Sequence, residues 1–475
     1  MKLTNWQVFS EKEIKAVNEA SLDILEKTGL LIESKTVRDL LVENGAVCNS
    51  ERVTFPRSLV NDCIAKNKKI IQMTDRNGKD AFVIGDGGVR FAGGHNAVFV
   101  MKDGTGERRN AIIKDIEDYA KICEHLDDID IAGVPLNPSD VPPKTMLTHT
   151  VAAMMRNTKK PVFYSSESKE VNLSIIELAK AATGFDSFKE RSSMISQLST
   201  TSPLYWEAGA AESAVECAKV GMPLAWLPQP ISGLTSPYTV AGNITLHNTE
   251  VLSAAVITHL VNPGTPQIYG AAWTSYDMRY SNVVIGRPEE ALMRIAGAQM
   301  AHYYNMPSHS IGPDADSNID DEQLGWEKMM SLLAAISGGN DLIVNSGMFG
   351  TGMTFTNEQL LLDNEMNRFA ERIAAGIEVT EDTIARDLIS SIGPRGDYLA
   401  SDHTLKYLRT GEHVEPSIIK GLNYENWRSN GSKKCTQLAA EKVSKMLEGE
   451  NKALLKADVG LKLSQILTKW DELYK

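Results

Sequence analysis

From Ile129 to about residue 380, short β-rich runs alternate with long helical segments, and no other feature of the sequence limits the fold so strongly. The runs are IDIAGV from Ile129, PVFYS from Pro161, MISQLS from Met194, PLAWLP from Pro223, PQIYGA from Pro266, PSHSIG from Pro307 and DLIVNS from Asp341. Their starts are roughly 30 to 45 residues apart, the length of one strand plus one crossover helix. Helices are predicted between them, over Thr145 to Arg156, Val171 to Ala182, Ala208 to Val220, Val240 to His259, Glu289 to Tyr303, Asp321 to Ile336 and Asn357 to Ala375. A weaker run, GIEV from Gly376, supplies an eighth unit, and eight units predict a closed parallel barrel in preference to an open doubly wound sheet. Pro161, Pro223, Pro266 and Pro307 open four of the strands, a position where the missing N–H costs no ladder bond.

The flanks read differently. Ser10 followed by Glu13 makes a helix capping box, Gly29 ends that helix, and Pro56 suits the first turn of another. Apolar runs near Ile70, Phe82 and Val98, separated by GDGG, AGGHN and KDGTG, read as hairpins. Residues 383–475 look helical and include the polar, aromatic-bearing stretch YLASDHTLKYLRTGEHVEPSIIKGLNYENW. The fold expected is α/β: a (β/α)8 (TIM) barrel over residues 126–382, an α+β appendage over 1–125 packed on it, and a C-terminal helical appendage over 383–475.

Composition removes several function classes. The net charge of -12, with no basic stripe, disfavours nucleic-acid and anionic-membrane partners. No apolar run reaches the roughly 18 to 20 residues that span a bilayer, and the N-terminus has no secretory core. The five scattered cysteines, none in a CxxC pair, argue against a disulfide framework and a structural zinc, and fit a reducing cytoplasm.

A barrel of this kind carries its chemistry at the C-terminal ends of its strands. Ser165, Glu167, Gln197, Gln229, Trp273, Tyr276, Arg279, His309, Asp314, Asn345, Met348 and Phe349 fall there. No strand presents a lysine for a Schiff base, and no compact His/Asp/Glu cluster suggests a catalytic metal. Trp273, Tyr276, Tyr280 and Phe349 are candidates for a cage around a trimethylammonium group, since ring faces attract cations that lack hydrogen-bond donors; packing beneath loops explains such aromatics as well. Arg279 and His309 are candidates for gripping a carboxylate, with an ion pair to Asp277, Asp314 or Glu327 as Arg279's structural alternative. Gln197 and Gln229 are candidates for orienting the ligand. His95 in AGGHNAV is expected outside the barrel, where it could lean over the mouth or serve as a satisfied turn histidine, the stronger reading. Glu250, beside His247 and Asn248, is expected as a capping or solvated carboxylate, and His95, Glu250 and Asp314 are further possible site residues. Gly347, Gly350 and Gly352 follow a late strand, where many barrels hold phosphate, but no lysine or arginine lies between Asp341 and Glu365 to support one.

The segments GLTSPYTVAGNITLHNTEVLSAAV, VNPGTPQIYG, GRPEEALMRIAGAQMAHYYNMPS, DADSNIDDEQLGWEK, TFTNEQLLLDNEM and HTLKYLR, with DGTGERRNAIIKDIEDYAKICEHLDDIDIAG nearer the front, resemble the trimethylamine:corrinoid methyltransferase (MttB-type) superfamily over nearly the whole chain. The resemblance implies a (β/α)8 barrel, a methylated amine substrate, and a separate corrinoid protein whose Co(I) accepts the methyl group. Members acting on trimethylamine carry pyrrolysine; the corresponding region here, around DLIVNSGMFGTG, has only standard residues. The chain therefore resembles the non-pyrrolysine branch, whose members demethylate quaternary amines such as glycine betaine, proline betaine, carnitine and γ-butyrobetaine. The superfamily's DAK-type acidic motif stands here as Asp314-Ala315-Asp316-Ser317, an altered form. No general acid or base is required for such a substrate, no metal or tightly held cofactor is expected on this chain, and a homo-oligomer is compatible with the fold. The alternatives are a non-enzymatic binding protein on the same fold and a barrel enzyme for a phosphate-bearing substrate.

Overall fold

A computed structural model describes residues 6–101, 106–451 and 455–474. Eight parallel strands close into a barrel with a helix after each: β1 (Arg90–Gly93), α1 (Ile113–Cys123), β2 (Ile131–Gly133), α2 (Met146–Asn157), β3 (Val162–Ser165), α3 (Lys169–Thr183), β4 (Met194–Leu198), α4 (Ala208–Lys219), β5 (Leu224–Trp226), α5 (Val240–Val261), β6 (Gln267–Ala271), α6 (Pro288–Tyr303), β7 (Ser308–Ile311), α7 (Glu322–Ser337), β8 (Leu342–Ser346) and α8 (Asn357–Ala375). The ring closes where Ala92 on β1 pairs with Ile131 on β2 and Leu342 on β8 pairs with Arg90 on β1.

Seven of the expected runs become barrel strands, and the eighth strand is a correction. GIEV at Gly376 forms no strand; the barrel instead takes RFAG, Arg90–Gly93, from inside the stretch expected as an appendage. The barrel thus begins near residue 90 and its last strand ends at Ser346. RFAG is hard to see because it has four residues between glycine-rich turns, too short for a periodic signal. Its burial is enforced by position: Phe91, Ala92 and Gly93 are buried on both faces of the sheet.

The interior follows the two-residue period of the strands. Ala92, Ile131, Phe163, Ile195, Ala225, Ile268 and Leu342 form one cluster inside the ring. The alternate residues meet the helices in a larger outer core. At Gly270 the interior leaves no room for a side chain, because a Cβ there would lie 2.3 Å from the Trp226 carbonyl oxygen and 2.6 Å from Nε2 of His309.

The N-terminal segment behaves largely as the sequence predicts. The Ser10–Glu13 capping box opens a helix over Glu11–Lys27, and Gly29 follows it in the left-handed conformation. That helix and the one over Arg57–Ile64 pack on α5. Covering from outside explains why α5 is buried nearly all round. Ile71–Thr74 and Asp80–Ile84 form a hairpin that turns at Asp75–Lys79, whereas GDGG and AGGHN, expected as hairpin turns, flank the barrel strand β1. Phe99–Met101 and Arg108–Asn110 pair antiparallel, and the KDGTG turn between them lies mostly outside the described residues.

At the C-terminus, helices Cys435–Glu448 and Ala457–Leu473 pack on the outer ring, against α8 and α1 and against α3 and α2 respectively. Between residues 376 and 434 only Ile418 is buried. It is pinned where its N–H and that of Ile419 donate to the Glu365 carboxylate at 3.0 and 2.8 Å. No helix among the described residues is long and apolar enough to cross a membrane.

Candidate functional site

A cavity of about 560 Å³ opens at the C-terminal ends of the strands. Its floor is the interior core: the Phe163 ring lies edge-on between His95, 5.9 Å away, and His309, 5.7 Å away. Above this floor the inward positions turn polar. Ser165 ends β3, Gln197 and Asn345 sit near the ends of β4 and β8, and Gln229 and Thr274 follow on from β5 and β6. Two small sheets flank the opening. One joins Ile231–Ser232, Thr274–Asp277 and Asn282–Val284; the other joins Phe99–Met101 and Arg108–Asn110 to the hairpin after β8.

His95 is where the structure reverses the order of the two readings: it follows β1, a barrel strand, and faces the cavity, so the possible site residue holds and the turn histidine outside the barrel does not. The Gln197 amide approaches its Nε2 at 2.9 Å. Burial pushes the His95 pKa down to about 4, with Asn345 opposing the shift, so the ring is neutral near pH 7.

Asn345 is placed by backbone geometry. The register between β8 and β1 shifts between Ile343 and Ser346, and Asn345 takes a φ of 93°, which asparagine tolerates better than a branched residue. The irregularity turns its amide into the cavity. Its Nδ2 donates to Asp314 Oδ1 at 2.9 Å. Asp314 is in turn held by Arg294 at 3.0 Å, with both side chains almost wholly out of solvent. Arg294 also donates to the carbonyls of Ile311 and Ile285. Burial raises the Asp314 pKa, and the Arg294 guanidinium opposes it most. Asp314 therefore anchors Asn345 from behind the cavity wall.

Two further carboxylates hold the loops. Asp316 accepts the backbone N–H groups of Ile285 and Gly286 at 2.9 and 3.0 Å and the Thr351 hydroxyl at 3.1 Å, tying three mouth loops together. Asp363 accepts the Gly347 N–H at 2.6 Å and pairs with fully buried Lys328 at 2.8 Å, which fixes the glycine loop after β8.

Of the sequence candidates, Ser165, Glu167, Gln197, Gln229, Asn345, Met348 and His95 come together on the cavity. The aromatic candidates do not line it. Trp273 points outward between barrel and helices, 4.4 Å from the His247 ring and against Gly297. Phe349 packs with Ala315 and Leu324, and Tyr280 is exposed. Tyr276 lies opposite Val283 in the flanking sheet and is not among the lining side chains. Arg279 is 74% exposed and pairs with Asp277 at 3.1 Å, the structural alternative foreseen for it. His309 is buried beneath the floor, where neither ring nitrogen has a hydrogen-bond partner; burial drives its pKa down to about 3. Glu250 is buried on α5, not solvated. It receives the Ser202 hydroxyl and the Leu204 N–H at 2.8 and 2.7 Å, shaping the loop after β4, and burial pushes its pKa up to about 7. Asn96, Asn282 and Met353 line the cavity without having been singled out. Asn96 was hidden with β1, and Asn282 belongs to a strand inserted after β6.

Chemically the lining is amide and hydroxyl over an apolar floor, with Glu167 as its formally charged side chain at the exposed rim. Surrounding protein raises the Glu167 pKa, and Glu207 adds to the shift. No lysine or arginine is among the lining residues, so the phosphate alternative lacks its counter-charge. Among the described residues no group of three His, Cys, Asp or Glu side chains converges to hold a metal ion. A second cavity of about 540 Å³ lies at the opposite end, beside Gly88 and Asp341, where conservation of structure and not chemistry is the usual role in this architecture.

The sequence matches the family described as "Trimethylamine methyltransferase (MTTB)" over residues 1–472. Trimethylamine methyltransferase MttB of Desulfitobacterium hafniense is 33% identical, covering 98% of this chain and 94% of its own length. The glycine betaine methyltransferase of the same species is 28% identical, covering 96% of this chain and 97% of its own. Among solved structures, the Methanosarcina barkeri monomethylamine methyltransferase (MtmB) superposes with a TM-score of 0.51 at 12% identity, covering 97% of this chain and 92% of that one, a likeness of fold. With the match spanning almost every residue, the chain belongs to the trimethylamine methyltransferase (MttB) family.

Proposed function

We propose that this protein moves a methyl group from a quaternary amine to the Co(I) of a corrinoid carried by a separate protein. The observation that carries this reading is a set of buried amide oxygens at the cavity with no formed hydrogen bond: Gln197 Oε1, Asn96 Oδ1 and Asn345 Oδ1, the last with the His95 ring as its neighbour. A tetraalkylammonium ion has no N–H to donate, but its positive charge is spread over its methyl groups, which can rest on carbonyl oxygens through weak C–H···O contacts. Glu167 at the rim adds a formal counter-charge.

Such a substrate needs no proton from the site. When the C–N bond breaks, the bonding pair remains on nitrogen and the product is a neutral tertiary amine that needs no protonation. The acceptor supplies the electron pair for the new bond to carbon. What the protein must do is orient one N-methyl carbon toward the opening and exclude water beneath it. The neutral His95 and the apolar floor of Leu227, Ala272 and Ile311 fit that task. Because positive charge leaves the amine during the reaction, moderate oxygen contacts serve better than a tight carboxylate cage, which would favour the ground state. Exposed amides at the rim, Gln229 and Asn282, suit the amide-fringed edge of a corrin. The use of a partner-borne corrinoid is supported by the family resemblance and by this open rim.

The test mixes the purified chain with a Co(I) corrinoid protein and follows the corrinoid spectrum as quaternary amines are added. The expected result is loss of the Co(I) absorbance with at least one of them, slowed in Gln197→Leu. Persistence of that absorbance across tetramethylammonium, choline, glycine betaine and carnitine overturns the reading.

A further inference from the structure

The cations near the mouth are already committed. Arg279 and Arg287 both close on Asp277 at 3.1 Å. Arg294 closes on Asp314, and Lys328 on Asp363. Among the described residues none of these, nor any other lysine or arginine, lines the cavity, whose formally charged side chain is the carboxylate of Glu167. A substrate with a single positive charge would balance the site. A zwitterion would bring a second carboxylate into a space that already holds one and offers it no cation, and a desolvated, unpaired carboxylate is costly. An uncharged tail has a different reception: Thr274 is a lining residue whose buried Oγ1 has no hydrogen-bond partner, and Ser165 lines the same cavity.

We propose that this site prefers quaternary ammonium ions whose fourth arm ends in an uncharged group, a hydroxyl or plain alkyl, over those ending in a carboxylate. The preference rests on the methyl-transfer reading of the same cavity. It comes from charge balance: the ammonium lies against the amide oxygens, and a terminal hydroxyl can pair with Thr274 at no cost in charge, whereas a carboxylate accepting from the same hydroxyl would sit in a cavity that holds Glu167 and has no cation to compensate it.

The experiment is calorimetric binding of tetramethylammonium, choline, glycine betaine and carnitine to the full chain at one ionic strength, repeated on Gln229→Arg, which brings a cation to the rim. Choline is expected to bind at least about tenfold more tightly than glycine betaine, the step that one uncompensated charge readily produces. In Gln229→Arg that ratio is expected to narrow or reverse. Glycine betaine binding as tightly as choline to the unmodified protein overturns the preference and leaves the methyl-transfer reading standing, and so does a ratio that Gln229→Arg leaves unmoved. Failure of all four ions to bind overturns both.

Discussion

The Arg294–Asp314 pair links the stability of the barrel to the geometry of its mouth, and the two roles can be separated. Asp314→Ala removes the carboxylate that faces Arg294 at 3.0 Å while the guanidinium stays buried. Nη1 of Arg294 already has no partner, so the remaining contacts are the Ile311 and Ile285 carbonyls. Breaking a buried pair on one side costs about 3–5 kcal/mol. Replacing both partners, as Arg294→Met with Asp314→Leu, removes the stranded charge and is expected to recover most of that loss. Ligand binding should not recover with it. Asn345 Nδ2 loses its acceptor in both variants, and its amide is then free to turn away from the cavity. The loss of one fixed oxygen contact corresponds to about 1.4 kcal/mol, or about tenfold in affinity for tetramethylammonium. Equilibrium unfolding in urea gives the first quantity and calorimetry the second. The reasoning is refuted if the double variant is as unstable as Asp314→Ala, or if it binds tetramethylammonium as the unmodified protein does.

Other outcomes follow from single features. Glu290 is buried with neither carboxyl oxygen in a well-formed hydrogen bond, and burial pushes its pKa up to about 7 from 4.5, with the neighbouring Ser275 hydroxyl and then Arg294 opposing the shift. Between those values the folded chain holds a proton that the unfolded chain has released, so stability falls as pH rises from about 4.5 to about 7 and stays lowered above. Glu290→Gln should therefore gain up to about 3 kcal/mol at pH 8 and almost nothing near pH 4.5, read as the difference between urea midpoints of variant and parent; an equal effect at both pH values would refute it. Gly270→Ala forces a methyl to within 2.3 Å of the Trp226 carbonyl and should cost at least about 1–3 kcal/mol, measured in the same way; unchanged stability would show that the barrel gives locally. Ile377, Val379, Leu399, Leu405, Leu408 and Tyr424 lie largely exposed on the arm over residues 376–434, Leu399 at 82%. Together they present on the order of 800 Å² of apolar surface, about what one partner buries in a standard interface. Light scattering should find the chain self-associated at micromolar concentration and Leu399→Asp with Leu408→Asp shifted toward monomer; a monomeric parent would refute that.

The barrel was legible wherever a strand was long enough to carry its own period. MISQL, QIYGA and LIVNS each have five residues and are preceded by a full helix, so both strand and crossover register in the sequence. RFAG has four, two of them small, and its partner helix α1 comes only after an inserted hairpin. GIEV offers the apolar residues of a closing strand but follows α8 at Gly376 and forms none. With the ring closed there, His95 falls outside the barrel; with RFAG as the strand, it stands at the mouth. The cage proposed from aromatic residues fails for another reason: Trp273 is two residues beyond the last buried pair of β6, and the chain there turns into a flanking sheet that faces the helices on one side. Proximity along the chain to a strand end says which end of the barrel a residue occupies, not which way its ring points.

The amide set was recoverable because it obeys the pleat. Along β4, Ile195 lies in the interior core and Gln197, two residues on, lines the cavity; along β3 the same step runs from Phe163 to Ser165. The path from β5 carries it from Leu227 to Gln229, and from β6 from Ala272 to Thr274. Two residues of strand advance about 6.6 Å. Core and site are therefore adjacent layers of one stack, and the boundary between them is a change of residue type at a fixed register. β8 is the exception: after Val344 the next inward group is Asn345, one residue on, and the step of one is made possible by the shifted register and the positive φ. Asn345 thus reaches the polar layer by backbone distortion where its neighbours reach it by alternation, which is why it alone needs the buried Arg294–Asp314 pair behind it.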